Sequence, residues 1–75
     1  MTTGEDRVRV DFNPSKVSAV DMIKQNTAKL IDLCEELGSQ TTDDEIGRLI
    51  ALAMTNYEEA AMWAVKAATS AKLAK

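Results

Sequence analysis

Apolar residues recur at alternating spacings of three and four along two long segments, and this helical period constrains the fold more than any other sequence feature. In the first segment the repeating positions are Val20, Ile23, Thr27, Leu30, Cys34 and Leu37. In the second they are Ile46, Ile50, Ala53, Tyr57, Ala60, Ala64 and Ala67, at coiled-coil spacing. Gly38, between the segments, is the residue type that ends helices in a left-handed conformation. The pattern predicts an all-α chain with helix one over residues 15–37 and helix two over residues 43–71.

The start of helix two is marked by the sequence Thr42-Asp43-Asp44-Glu45. This order matches a capping box, in which the Thr42 hydroxyl accepts a hydrogen bond from the Glu45 amide and the Glu45 side chain reaches back. We therefore expect Thr42 to cap helix two.

Residues 1–14 have a different pattern. Apolar and charged side chains alternate along Val8, Arg9, Val10, Asp11 and Phe12. This is the period of a strand, but the segment is too short to form a sheet alone. Pro14 disfavours helical geometry in the residue before it. The pattern predicts a short extended N-terminal arm that lies on a helical body, its own or another subunit's, within a single domain over residues 1–75.

The length of 75 residues makes a stable monomer difficult, because a core of this size supplies only about 3–5 kcal/mol. In residues 60–68 only Lys66 is polar, so this part of helix two needs cover on several sides. We therefore predict a two-helix protomer that assembles into a compact helical homo-oligomer. The expected interface residues are Tyr57, Met62, Trp63 and Val65, with Met62 and Trp63 as anchors.

The composition excludes most kinds of active site. The chain has no histidine and a single cysteine, which removes a Ser-His-Asp triad, a Cys-His nucleophile and an ordinary zinc site. Glu35-Glu36 and Glu58-Glu59 are neighbours in sequence, so the two members of each pair do not face each other on a helix. Solvated or interfacial charge explains them. We expect a binding protein and not an enzyme, with no cofactor and no metal site.

Charge and hydropathy limit the kinds of partner that we expect the chain to bind. No run of eighteen apolar residues is present and the first ten residues lack an apolar stretch, so we expect a cytoplasmic protein that neither crosses a membrane nor carries a secretory signal. The net charge of −3 argues against DNA, which would need a broadly basic face. It leaves room for a compact anion held by a few local cations.

Cations are concentrated in the N-terminal third of the chain, at Arg7, Arg9, Lys16, Lys24 and Lys29. Lys24 and Lys29 lie inside helix one, where complementarity to the helix dipole does not explain them. Phe12 stands close to this basic segment, and a ring beside a lysine is the minimal set for a nucleotide, since the ring stacks on a base and the ammonium meets a phosphate. The alternative is that Phe12 only packs the arm against the core.

A family pattern is visible in helix two. Residues 47–64 spell GRxxALAxTxxEEAxxWA, which closely resembles the second helix of small phage anti-CBASS proteins that act as cyclic-oligonucleotide sponges. Residues 23–37 (IKQNTAKLIDLCEEL) resemble the first helix of that family without a gap, and residues 9–14 resemble its N-terminal Arg, aromatic and Pro pattern. The resemblance covers roughly residues 9–68.

The resemblance implies an all-helical hexamer that binds cyclic dinucleotides such as cyclic GMP-AMP in pockets between subunits. Such a sponge sequesters the immune signal without degrading it, in the cytoplasm of the infected bacterium, so that the CBASS effector is not activated. Phe12 matches the family aromatic that stacks on the bases, and Lys24 matches the basic residue that meets the phosphates, with Lys29 as the second choice. Asn13 and Pro14 match the turn that sets the aromatic in place.

Some positions depart from the family pattern. An arginine late in the family's second helix serves cyclic trinucleotides, and the matching segment here, residues 69–72, contains none, so trinucleotide binding stays open. A structural or adaptor oligomer that binds a protein partner is the alternative function, because Trp63 and the alanine seam fit it equally well. A DNA-binding hairpin ranks third, since helix two is acidic.

Overall fold

A computed structural model describes residues 2–9 and 18–70. Within these residues the chain forms three helices and no strand: α1 (Thr3–Val8), α2 (Ser18–Gly38) and α3 (Asp44–Ala68). The all-α class is therefore confirmed for the described residues. Helices α2 and α3 pack along each other as a hairpin, and α1 lies against both.

Helix α1 corrects the prediction of an extended arm over residues 1–14 for Thr3–Val8, which are helical. Thr2 caps this helix through a capping box: its Oγ1 accepts from the Glu5 amide at 3.0 Å, and its own amide donates to Glu5 Oε1 at 2.9 Å. Arg9 ends the helix in the left-handed region, at φ 56° and ψ 58°. Val8, whose alternation with its neighbours indicated a strand, is thus the last residue of a helix. Residues 10–17, which include Phe12, Asn13 and Pro14, lie outside the described part.

The long helices differ from expectation mainly at their ends. Asp43, and not Thr42, is the N-cap of α3, because Asp43 Oδ1 accepts from the Ile46 amide at 3.0 Å. Gly38 belongs to α2 and does not have a positive φ, so the predicted left-handed stop is wrong. The chain turns instead through hydrogen bonds that join Ser39 to the last turn of α2, with its amide 3.0 Å from the Glu35 carbonyl oxygen. At the other end of the hairpin, Thr69 follows the last residue of α3.

The buried stripe of α2 is rotated from the predicted one. Its buried residues are Val20, Lys24, Ala28 and Ile31. Leu30 and Leu37, which the periodicity placed on the inner face, are 41% and 57% exposed. Because α2 must contact both α1 and α3, its inward face is centred between these two helices. The displaced leucines are left on the outer surface.

The core is small. Val8, Ala28, Ile31 and Ala61 form one buried cluster, with Ile23 and Met54 packed around it. On α3 the fully buried position is Ala61, whereas the seam residues Tyr57 and Ala60 are exposed. Small side chains at the centre of the cluster allow the helices to approach closely.

Gly4 sets the position of α1. Its amide donates to Asp32 Oδ1 at 2.7 Å, so a side chain of α2 satisfies one of the amides that a helix start leaves without a partner. A Cβ at this position would overlap the Ala28 carbonyl oxygen and stand 2.7 Å from Asp32 Oδ1. Only glycine therefore allows the two helices to cross at this distance. The crossing places the start of α1 at the middle of α2 and its end beside Lys24 and Ala61.

Candidate functional site

A cavity of about 370 Å³ opens where the end of α1 meets the hairpin. Its lining residues are Arg7, Val8 and Arg9 from α1 and its C-cap, Lys24 from α2, and Glu58, Ala61, Met62 and Val65 from α3. Three cations and one carboxylate thus share a space with apolar walls. This size lies at the lower end of the range of small-molecule sites.

Lys24 is the most deeply buried of these charged residues, at 3% exposure. Its Nζ donates to the Arg9 carbonyl oxygen at 3.0 Å. Burial lowers the pKa of Lys24, the nearby positive charge of Arg9 lowers it further, and Asp21 acts in the opposite direction. The ammonium therefore lies in an environment that disfavours its charge, which an anion in the cavity would relieve.

Arg7 and Glu58 form an ion pair across the cavity, between α1 and α3. Arg7 Nε donates to Glu58 Oε1 at 2.7 Å, and Arg7 Nη2 makes a longer contact of 3.5 Å with Thr55 Oγ1. The side chains of the pair are 29% and 35% exposed. Together with the contact between Gly4 and Asp32, this pair holds the short helix on the hairpin.

The two lysines predicted from the sequence as ligand residues lie in different environments in the structure. Lys24 lines the cavity, whereas Lys29 is exposed on α2 and is not among the lining residues. Phe12, Asn13 and Pro14 lie outside the described residues. The structure therefore places one of the five predicted ligand residues at the cavity, and the role of each stays a prediction.

The four predicted interface residues have different environments. Met62 and Trp63 are 66% and 62% exposed, and the Lys66 ammonium lies 5.6 Å from the centroid of the Trp63 ring. Tyr57 is exposed at 37%, and Val65 is half-buried in the cavity wall beside Met62. Contacts between subunits remain a prediction for all four.

Sequence reasoning did not single out Arg7, Arg9 and Glu58 as site residues. The excess of cations in the N-terminal third includes both arginines, but the extended arm predicted there gave them no fixed place. A signal for Glu58 exists in the spacing: Met54, Glu58, Ala61 and Val65 follow one another by four, three and four residues. A carboxylate on such an inward-facing row indicates a partner charge.

Other kinds of site find less support. Within residues 2–9 and 18–70, no group of three His, Cys, Asp or Glu side chains is placed to hold a metal ion. The thiol of Cys34 is half-buried on α2. None of the described helices is both long and apolar enough to cross a lipid bilayer.

Comparison with known proteins gives one result. No curated protein and no solved structure matches the chain significantly. A family model described as Acb2/Tad1, hairpin domain, matches residues 4–69, which include α2, α3, all of α1 but its first residue, and every described residue that lines the cavity. Because this match spans most of the 75 residues, the chain belongs to the Acb2/Tad1 family of anti-CBASS sponges.

Proposed function

We propose that the chain is a phage-encoded sponge that binds cyclic dinucleotide immune signals and sequesters them without degrading them. The observation that carries this proposal is the cavity between α1 and the hairpin, in which Lys24 lies among apolar walls. A phosphate and a base need this combination: a cation for one and a dry surface for the other. Membership of the sponge family supports binding over catalysis.

In this proposal Lys24 meets a phosphate of the ligand. A charge-assisted hydrogen bond of this kind contributes about 1.5–3 kcal/mol. The negative charge of the anion also opposes the effects of burial and of Arg9, which lower the pKa of Lys24. Phe12 stacks on a base, with Asn13 and Pro14 as the turn that positions its ring, and stacking adds about 1–3 kcal/mol per base.

Two copies of the site serve one ligand. The cavity has room on the scale of one nucleotide, whereas a cyclic dinucleotide has two bases and two phosphates in near two-fold symmetry. A homo-oligomer, which we propose is a hexamer, brings two such cavities to a common axis. Met62 and Trp63 supply the exposed apolar surface for assembly. Tyr57 and Val65 complete the proposed interface.

Calorimetric titration with cyclic GMP-AMP and related cyclic dinucleotides tests the proposal. The wild-type chain should bind at least one of them tightly, and chromatography should recover the ligand intact. Absence of binding to every ligand of the panel would contradict the sponge, and recovery of linear products would indicate an enzyme. Binding in this form would neutralise the signal in the cytoplasm of the infected host, before it reaches the CBASS effector.

Lys24→Met isolates the charge, because methionine keeps much of the apolar stem that packs in the buried position while it removes the ammonium. We expect affinity to fall by about tenfold to a hundredfold, in proportion to the lost charge-assisted bond. Lys29→Met is the matched control on the same helix, since Lys29 is exposed and does not line the cavity. Equal losses in both variants would mean that general positive charge, and not Lys24, attracts the ligand.

A second candidate function is a structural or adaptor oligomer that binds a protein partner. The high exposure of Met62 and Trp63 favours it. This alternative does not require the cations at the cavity, so it predicts that Lys24→Met leaves partner binding unchanged.

A further inference from the structure

In the ion pair between Arg7 and Glu58, several N–H donors and one carboxylate oxygen are not used within the pair. A guanidinium has five N–H donors, and Arg7 uses one on Glu58 Oε1 and one on the distant Thr55 hydroxyl. Among residues 2–9 and 18–70, its Nη1 donates no hydrogen bond and Glu58 Oε2 accepts none. The pair therefore presents a donor edge and an acceptor edge side by side.

Docking of α1 alone does not account for this arrangement. Gly4 and Asp32 already fix the helix at its other end, with a hydrogen bond of 2.7 Å and a close crossing. An ion pair that only joined α1 to α3 would stabilise the fold most if all of its donors and acceptors were hydrogen-bonded. Polar groups beside apolar walls lose their hydration, so each one left without a hydrogen bond costs free energy. Here both side chains line the cavity and remain about one-third exposed.

The unused edges match one base better than the others. On its Watson–Crick edge guanine presents the acceptor O6 next to two donors, N1–H and N2–H, whereas adenine presents one donor and one acceptor. In the major groove of DNA, arginine donating to O6 and N7 of guanine is the commonest specific contact, so a guanidinium is a suitable donor to O6. A carboxylate beside it accepts from N1–H and N2–H, and both kinds of bond are charge-assisted.

We propose that the Arg7–Glu58 pair reads guanine, so that the chain prefers cyclic dinucleotides that contain guanine over those that contain only adenine. Lys24 lies in the same cavity and would hold the phosphate of the same nucleotide. This inference rests on the proposed function, because it names the base that the sponge selects. It adds Arg7 and Glu58 as specificity-determining residues to the cation already assigned.

Four ligands test the inference on the wild-type chain: cyclic di-GMP, its inosine analogue, cyclic GMP-AMP and cyclic di-AMP. Inosine lacks only the N2 amino group of guanine and keeps N1–H, so it isolates the bond from N2–H to Glu58. We expect cyclic di-GMP to bind about tenfold or more tightly than the inosine analogue, with cyclic di-AMP among the weakest. Equal affinities for guanine and inosine ligands would overturn guanine reading while leaving the sponge intact. Failure of all four to bind would instead overturn the proposed function.

Glu58→Gln tests the carboxylate with little change in shape, because one acceptor oxygen becomes a donor that faces the donors of guanine. We expect the preference for cyclic di-GMP over cyclic di-AMP to disappear, because the affinity for cyclic di-GMP should fall by a larger factor than the affinity for cyclic di-AMP. Glu59→Gln is the matched control, since Glu59 is exposed and does not line the cavity. An equal loss for both ligands in Glu58→Gln would show that the pair only docks α1. Should this variant fail to fold, the inosine comparison on the wild type decides the question alone.

Discussion

Burial of Lys24 is unusual for a lysine and has a consequence for pH. Lysines are seldom fully buried, because a low-dielectric environment disfavours the ammonium. At this position burial and the charge of Arg9 lower the pKa, while Asp21 raises it, and Arg7 and Glu58 are the other charged groups that line the cavity. The charge that we propose binds phosphate is therefore lost at a lower pH than that of an exposed lysine.

Ligand affinity should depend on pH because the pKa of Lys24 is lowered. The affinity for cyclic di-AMP should decline as pH rises through the lowered pKa of Lys24, below the ordinary value of 10.5. Adenine does not titrate in this range, so the ligand does not contribute to the decline. Calorimetry across neutral to alkaline pH measures it. Lys24→Arg should show no such decline, since an arginine stays protonated, and parallel curves for the two proteins would refute the assignment.

Stability should respond in the opposite direction. Since the folded-state pKa of Lys24 lies below the unfolded value, the cost of burying the charge is present in full at lower pH. It is relieved as pH rises from the lowered pKa to 10.5. The free energy of unfolding should therefore gain a rising contribution over this window, and Lys24→Met should remove it.

At the scale of elements, α1 depends on a single glycine. Gly4→Ala places a methyl group against the Ala28 carbonyl oxygen and Asp32, so we expect a loss of about 1–3 kcal/mol in the free energy of unfolding and loss of α1 docking. Urea denaturation and amide hydrogen exchange in α1 measure the two effects. Gly47→Ala is the matched control inside α3, where a Cβ meets nothing within 4 Å. It should stabilise by about 0.5–1 kcal/mol, and destabilisation there would mean that helix propensity does not govern the site.

The start of α3 allows a test between two caps. Asp43→Ala removes the side chain that accepts from the Ile46 amide, so we expect a loss of about 1 kcal/mol in thermal or urea unfolding. Thr42→Ala should change stability by less than about 0.5 kcal/mol, although the sequence pattern places the cap at Thr42. A larger effect at Thr42 would contradict the observed geometry.

The difference between expected and observed elements has physical causes. The two long helices could be predicted because their apolar period persists over many turns. Helix α1 could not, because six residues are too few for a period and the helix exists through its cap at Thr2 and its docking at Gly4. For the same reason the sequence did not identify Arg7 as a site residue, since its distance from Glu58 depends on where α1 lies. Lys24 could be placed by resemblance to the family, but its burial required the tertiary structure.

At the scale of the whole molecule, more of the described large apolar side chains are exposed than are buried. The buried cluster is Val8, Ala28, Ile31 and Ala61, whereas large side chains such as Leu33, Met62 and Trp63 remain more than half exposed. A monomer with this distribution gains little from folding alone. Assembly with further copies would cover the exposed side chains.

The dependence of stability on protein concentration tests whether the chain assembles. The Tm of the wild type should rise with protein concentration, because association stabilises only the folded chain. Trp63→Glu should reduce the subunit number in native mass spectrometry and abolish the concentration dependence of Tm. Gln25→Glu is the control that adds the same charge at an exposed polar position of α2. A monomeric wild type at micromolar concentration, with Tm independent of concentration, would exclude the oligomer.

The contact between Gly4 and Asp32 also affects how long α1 stays docked on the hairpin. A six-residue helix does not persist alone in water, so the wall that α1 forms over the cavity lasts only as long as its contacts with the hairpin. In the proposed sponge, detachment of α1 opens the cavity for release of the ligand, so the lifetime of the complex should depend on Asp32, which is not among the described lining residues. We expect stopped-flow release to be faster in Asp32→Ala than in Asp32→Asn, whose Oδ1 still accepts from the Gly4 amide, and equal rates would exclude this control. The proposed sponge must hold its ligand for as long as the signal persists, and we expect the contact at the start of α1 to set that time.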